Sequence, residues 1–197
     1  MIAPFTVAFD TREQLPFSFQ NIRMDRKRAF VLTQKRTLQT GDYSIVGYED
    51  RICVERKSLE DLYRTLGKDR ERFMRELERM QTMECSAVVI EASWKQIANP
   101  TEDDPLFRSL VHPNSIVGTI VACASQFPKT RWKAAGNRAN AEKTTFDILW
   151  HFYKSDEKGK TYKTGQIFGT PAENLGCVEL AGRVSGTGIV CEGGAEF

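Results

Sequence analysis

Hydrophobic and polar positions along this chain change period several times, and each change marks an element. Phe5-Thr6-Val7-Ala8-Phe9 is a short β-rich run that ends in Asp10, and it predicts the first strand of a sheet. Arg12 and Glu13 then open a loop that Pro16 keeps from becoming helix. Residues 21–40 are polar, with Val31-Leu32-Thr33 the best strand candidate among them. Residues 43–46 and 51–55 flank the turn Gly47-Tyr48-Glu49-Asp50 and predict a β-hairpin. Ser58 offers an N-cap with Asp61 as the N3 acid of a capping box. Leu59, Leu62, Tyr63 and Leu66 then give one apolar helical face, which Gly67 ends.

Residues 68–83 predict a longer helix buried along Phe73, Leu77 and Met80, with its arginines and glutamates paired on the outer face. The continuous apolar run Ser86-Ala87-Val88-Val89-Ile90 suits a central strand covered on both faces. A short helix over 92–98 and a loop over 99–105 follow. Pro113-Asn114-Ser115 opens a helix through Ile116, Ile120, Val121 and Ala124 that stops near Pro128. Residues 131–135 read as an edge or late strand, and Gly136-Asn137 as the turn into a helix carrying Phe146, Leu149, Trp150 and Tyr153. That helix start, with Arg138 beside it, also suits a phosphate. Alternating strands and helices predict an α/β fold, a mixed central β-sheet flanked by helices, over residues 1–158. Residues 159–197 are rich in glycine and read as a tail, or as a small hairpin of Val178-Glu179-Leu180 and Ile189-Val190-Cys191.

Composition narrows the class. Of 197 residues 41% are hydrophobic and 27% charged, the balance of an ordinary globular protein with a core. No apolar run reaches membrane-span length, and no basic segment leads into an apolar one, so the chain reads as intracellular and without a membrane partner. Five cysteines without C-x-x-C spacing predict reduced thiols, not a disulfide framework or a zinc site. His112 and His151 are too few and too far apart for a histidine metal site. The net charge of +2 conceals one basic run, Arg23, Arg26, Lys27, Arg28, Lys35 and Arg36, which is either a solvated face or a lining for DNA phosphates.

Chemistry gathers between Gly41 and Asp61. Side chains two apart share a face of a strand, so Cys53, Glu55 and Lys57 point one way and Arg56 the other. Pairing in the hairpin sets Asp42 opposite the end of the second strand. Two carboxylates and a lysine converging there meet the needs of metal-dependent phosphodiester hydrolysis: oxygen ligands for the ion, and a group to assist the attacking water. A Glu-x-Lys triplet by itself is equally a cross-strand ion pair on the surface of a structural or small-molecule-binding α/β protein.

Several ordered motifs bear on this choice and leave both readings open. Gly41-Asp42-Tyr43 followed by Val54-Glu55-Arg56-Lys57-Ser58-Leu59-Glu60-Asp61 resembles the signature of the XPF/Hef-type structure-specific DNA endonucleases, a branch of the PD-(D/E)xK fold. Upstream, Asp10-Thr11-Arg12-Glu13 is similar to the family's DxRE segment. Downstream, the helix with Arg72 and Glu76 falls where the family has a GRxxxQ-like helix, Glu76 standing for glutamine, and Val88-Val89-Ile90-Glu91 resembles the strand that follows. The resemblance implies a restriction-endonuclease-like fold and a Mg²⁺- or Mn²⁺-dependent endonuclease acting on branched, flap or fork DNA. Asp42, Glu55 and Asp10 are then the metal ligands, Asp10 directly or through water, with Lys57 the fourth catalytic residue. Arg12 and Arg72 are implied phosphate contacts, and Glu13, Arg56 and Asp61 supports, Arg56 as a salt bridge that fixes the strand and Asp61 as cap, support or both. It implies DNA as partner, pairing of two copies, and a location in the cytoplasm or nucleoid, or the nucleus of a eukaryote. The alternative is a silent module that binds branched DNA without cutting it.

Overall fold

The computed structural model describes residues 1–100 and 112–159. Six strands form one sheet in the order β4-β1-β5-β6-β7-β8. They are β1 (Ile2–Asp10), β4 (Phe30–Arg36), β5 (Tyr43–Ile45), β6 (Ile52–Lys57), β7 (Cys85–Ile90) and β8 (Thr130–Ala134), while β2 (Arg23–Met24) and β3 (Lys27–Arg28) make a separate small hairpin. β5 runs antiparallel to both neighbours and every other pairing in the sheet is parallel, so the sheet is mixed as expected. β7 is buried at all six positions, which follows from its place inside a sheet covered on both faces.

Alternation along the strands sorts the core into two layers. Val7, Tyr43, Ile45, Ile52, Val54, Ala87 and Val89 pack against α5 (Arg138–Glu157) through Phe146, Leu149 and Phe152. Cys53, Val88, Ile90 and Trp132 face the opposite layer, built from α1 (Leu59–Leu66), α2 (Arg70–Met80) and α4 (Pro113–Gln126), with α3 (Trp94–Ala98) at its margin. Phe73, Leu77 and Met80 form the buried stripe of α2, as their spacing predicts, and full burial of one such side chain contributes about 1.5–3 kcal/mol. α2 is shorter than residues 68–83, because Thr82 and Met83 close turns onto Arg79 and Met80 instead of continuing the helix.

The expected loop after Asp10 is present, and its Phe17 and Phe19 turn into the α5 layer. The polar stretch 21–40 carries more structure than a lone strand, since hairpin β2–β3 precedes β4. Cys53, Cys85 and Cys123 are buried free thiols. No described helix is long and apolar enough to cross a membrane. The tail or hairpin of residues 160–197 and most of the loop after Pro100 lie outside the described residues.

Candidate active site

The carboxyl ends of β1, β6 and β7 meet the amino end of β5 at one end of the sheet, where open α/β sheets bind ligands. Tyr43 pairs with Val54, so the preceding Asp42 falls beside Glu55 on the α1/α2 face. Asp42 Oδ2 accepts the Arg56 backbone N–H at 2.8 Å, and Lys57 Nζ donates to Glu55 Oε1 at 2.7 Å. Lys57 also sits 5.2 Å from the centre of the Phe73 ring, which holds the ammonium from behind. A cleft of about 690 Å³ opens over these groups, with Arg12, Arg64 and Arg72 among its lining.

Burial, and then repulsion from Glu55, push the Asp42 carboxyl well above the usual carboxylate range, and the Arg56 N–H and Lys57 offset only part of this. Burial alone would lower Lys57, but Glu55 and Asp42 outweigh it and hold its pKa above the ordinary value. Lys57 therefore keeps its proton at neutral pH. Burial likewise raises the Cys53 thiol on the same face, leaving it unreactive.

Gly41 sets the entry to this pair. Its φ is +74°, and an added Cβ would lie 2.9 Å from Cys53 Cβ and 3.2 Å from the Val54 carbonyl oxygen. Glu76 of α2 accepts the Gly41 N–H at 3.0 Å and thereby ties the helix to the turn before Asp42. Gly41→Ala combines a left-handed backbone with a contact that rigid strand atoms cannot relieve. We expect it to lose about 3 kcal/mol in urea unfolding, the left-handed strain of about 1–2 kcal/mol plus overpacking.

Asp10 is 1% exposed and fully engaged. Its Oδ1 accepts Arg12 N at 2.8 Å and Nε at 2.6 Å, and its Oδ2 accepts Leu38 N at 2.8 Å and Arg12 Nη2 at 3.2 Å. Burial opposes its charge, but these bonds prevail and its carboxyl titrates below the usual range. Four donors fill the lone-pair sites of a carboxylate. Asp10 thus braces the loop that presents Arg12, whose side chain stays 72% exposed at the cleft.

Arg56 points to the other face and joins three segments. Its Nη1 donates to Glu13 at 3.1 and 3.2 Å, its Nε to Glu91 Oε1 at 2.7 Å, and its guanidinium lies 5.7 Å from the Phe17 ring centre. Arg138 donates to Glu91 at 2.8 Å and to the Leu15 and Pro16 carbonyls. At the α5 start Asn137 Oδ1 caps Asn140 N, and Arg138 belongs to the ion-pair network. Sequence reasoning had no role for Arg138 in such a network, nor for Glu91 as the hub, although a single acid closing an apolar strand was a visible signal. Asp61 N is capped by Ser58 Oγ. The Asp61 carboxylate takes the Ser58 hydroxyl and Arg64, so the reciprocal backbone bond of a capping box is not made. Arg72 lines the cleft, exposed and without an ion pair among the described residues.

A profile of the ERCC4 domain matches residues 9–149, well over half of the chain. The chain belongs to the ERCC4 domain family. Solved structures share its fold, two of them of one protein. XPF from Aeropyrum pernix has 18% identity and a TM-score of 0.51, covering 83% of this chain and 69% of that one. The same protein in complex with DNA again gives 18% and 0.51, covering 77% of this chain and 66% of that one. No curated protein sequence matches. The match to the ERCC4 domain takes in every candidate residue from Asp10 to Glu91. Within this ERCC4 domain, Asp42 and Glu55 are the pair able to hold a cation. Asp42 Oδ1 and Glu55 Oε2 have no hydrogen bond among the described residues, whereas both Asp10 oxygens are committed. No three His, Cys, Asp or Glu side chains cluster as a cage among the described residues.

Proposed function

We propose that this ERCC4 domain is a Mg²⁺- or Mn²⁺-dependent endonuclease that hydrolyses phosphodiester bonds in branched, flap or fork DNA. The juxtaposition of Asp42 and Glu55, with a protonated Lys57 2.7 Å from Glu55 at the strand ends, carries this reading. Family membership, the XPF-type fold and the DNA complex of the Aeropyrum pernix protein support DNA as the substrate.

The donor set fits a hard divalent cation. Two carboxylates repel each other in a buried setting, each with an oxygen to spare, and Mg²⁺ is commonly held by one or two carboxylates together with waters and substrate phosphate. Such an ion, when bound, supplies charge stabilisation at the phosphate and lowers the pKa of water. Lys57, retaining its proton, orients the attacking water and donates to a phosphate oxygen as negative charge develops. The outward edge of Arg12 and the free guanidinium of Arg72 receive the adjacent phosphates in fork geometry. Asp10, Glu13, Arg56 and Asp61 hold these groups in place.

End-labelled flap, fork and duplex DNA incubated with Mg²⁺ or Mn²⁺ tests the reading. Cutting that EDTA removes, and that Lys57→Ala lowers about a hundredfold, is the expected result. Branched DNA bound and left intact under both ions would replace the endonuclease with a silent binding module.

A further inference from the structure

The basic run is not used by the cleft. Hairpin β2–β3 turns through Asp25 and Arg26, with φ of 48° and 67°, the backbone that a tight two-residue hairpin requires. Ile22, Met24 and Ala29 anchor it in the α5 layer, while Arg23, Arg26, Lys27 and Arg28 stand exposed. Arg23 lies directly opposite Arg28. Like charges so placed destabilise a strand pair. None of these four cations has an ion pair among the described residues, and residues 23–36 hold six bases with Asp25 as the one acid, in a chain of net charge +2. A fold that carries this repulsion gains from a polyanion laid across it.

An aromatic surface adjoins the charge. Phe30 is 64% exposed, and Leu32, two residues on along the same strand face, is 48% exposed. Beside them a cleft of about 500 Å³ is lined by Ser18, Gln20, Arg28, Ala29, Phe30 and Val31. An unpaired base has apolar faces and a polar edge, and this cleft offers a ring and aliphatic groups to the first and an amide and a hydroxyl to the second. A base inside a duplex presents no free face to Phe30.

We infer that hairpin β2–β3 and Phe30 form a binding site for single-stranded DNA, the phosphates on Arg23, Arg26, Lys27 and Arg28 and a base stacked on Phe30. The inference rests on the nuclease reading only for the identity of the polymer. Phe30 pairs with Ile2, and Arg36 with Asp10, so the site lies at the far end of β4 from the catalytic cleft, about 20 Å away at about 3.3 Å per residue. That span takes about six nucleotides at the duplex spacing of about 3.4 Å, and a more extended unpaired strand crosses it with fewer. The site thus suits the unpaired arm of a branched substrate whose junction sits at the cleft.

Fluorescence anisotropy of labelled oligo-dT and of a duplex of equal length, in EDTA and with the full chain, tests this without any cutting. Arg26→Ala/Lys27→Ala/Arg28→Ala is expected to lower the slope of log affinity against log salt for oligo-dT by about 2, at about 0.7 per phosphate. Phe30→Ala is expected to weaken oligo-dT about tenfold with the slope unchanged, Phe30→Trp to restore it, and duplex affinity to stay at the wild-type value. Phe30 is exposed, so its variants keep the wild-type melting temperature. Unchanged oligo-dT binding in both variants, or equal loss for duplex and single strand on Phe30→Ala, overturns the proposal. A dimer that Phe30→Ala turns into monomer also overturns it, because the face would then belong to a second copy. Loss of oligo-dT binding by the variants of a chain that cuts no DNA would leave this site standing and remove the endonuclease reading. Cutting with unaltered oligo-dT binding would do the reverse.

Discussion

Asp42→Asn is expected to lower cleavage by about a thousandfold or more and, at the same time, to raise the urea midpoint of unfolding. In the proposed endonuclease the first effect would follow from losing one of the two carboxylates assigned to the cation. The second follows from the position of Asp42. Burial, followed by the neighbouring Glu55, raises its pKa in the folded state, so the ionised carboxylate is less stable there than in the unfolded chain. Below the ordinary carboxyl pKa of about 3.9 Asp42 is protonated in both states and exerts no penalty. As pH rises from there through its raised folded pKa, the unfolded state gives up its proton more readily and stability is lost. Wild-type stability should therefore fall, relative to Asp42→Asn, across that window and level off above it. Asparagine keeps an oxygen for the Arg56 N–H, so the local hydrogen bond survives the exchange.

Millimolar Mn²⁺ or Mg²⁺ should narrow the difference at neutral pH, because a cation that binds the folded wild type stabilises it by mass action and finds one ligand fewer in the variant. Urea titrations at several pH values, with and without the ion, read the whole set. A variant that is less stable than wild type at every pH would mean that Asp42 ionises without cost, and would remove the electrostatic case for a cation between Asp42 and Glu55.

The placement of Asp42 beside Glu55 and Lys57 was legible because its information is local. A period of two separates Cys53, Glu55 and Lys57 from Ile52, Val54 and Arg56 within six residues, and the hairpin around Gly47 returns the chain so that Asp42 meets Glu55. The mixed sheet and its flanking helices were legible for the same reason. Hairpin β2–β3 was not, since its strands are two residues long and its turn follows Asp25 with Arg26 where glycine would have marked the positive φ. Nor were the partners of Asp10. Its sequence neighbours suggest a ligand, directly or through water, and its bonds to Leu38 and Arg12 depend on β4 lying parallel to β1 across an intervening loop. Charged residues select partners by sheet order, and the order β4-β1-β5-β6-β7-β8 is not written in any local pattern.

Arg56→Met is expected to cost about 3–5 kcal/mol, a large part of the roughly 5–15 kcal/mol that holds a domain folded. Arg56 is 11% exposed, as nearly buried as Glu13 at 7% and Glu91 at 12%, so removing the cation strands carboxylates that have given up water. The two do not suffer equally. Glu91 retains Arg138 at 2.8 Å, whereas among the described residues Glu13 retains only the Leu15 N–H at 2.9 Å. Glu13→Gln in the Arg56→Met background should then recover more stability than Glu91→Gln in the same background, and urea unfolding of the single and double variants measures the coupling. Arg72→Ala is the contrasting case, since an exposed arginine without an ion pair should weaken DNA binding and leave unfolding within about 0.5 kcal/mol of wild type. If Arg56→Met instead unfolds like wild type while its DNA affinity drops, Arg56 reaches the substrate and the network around it is not what fixes the loop of Arg12 to β6.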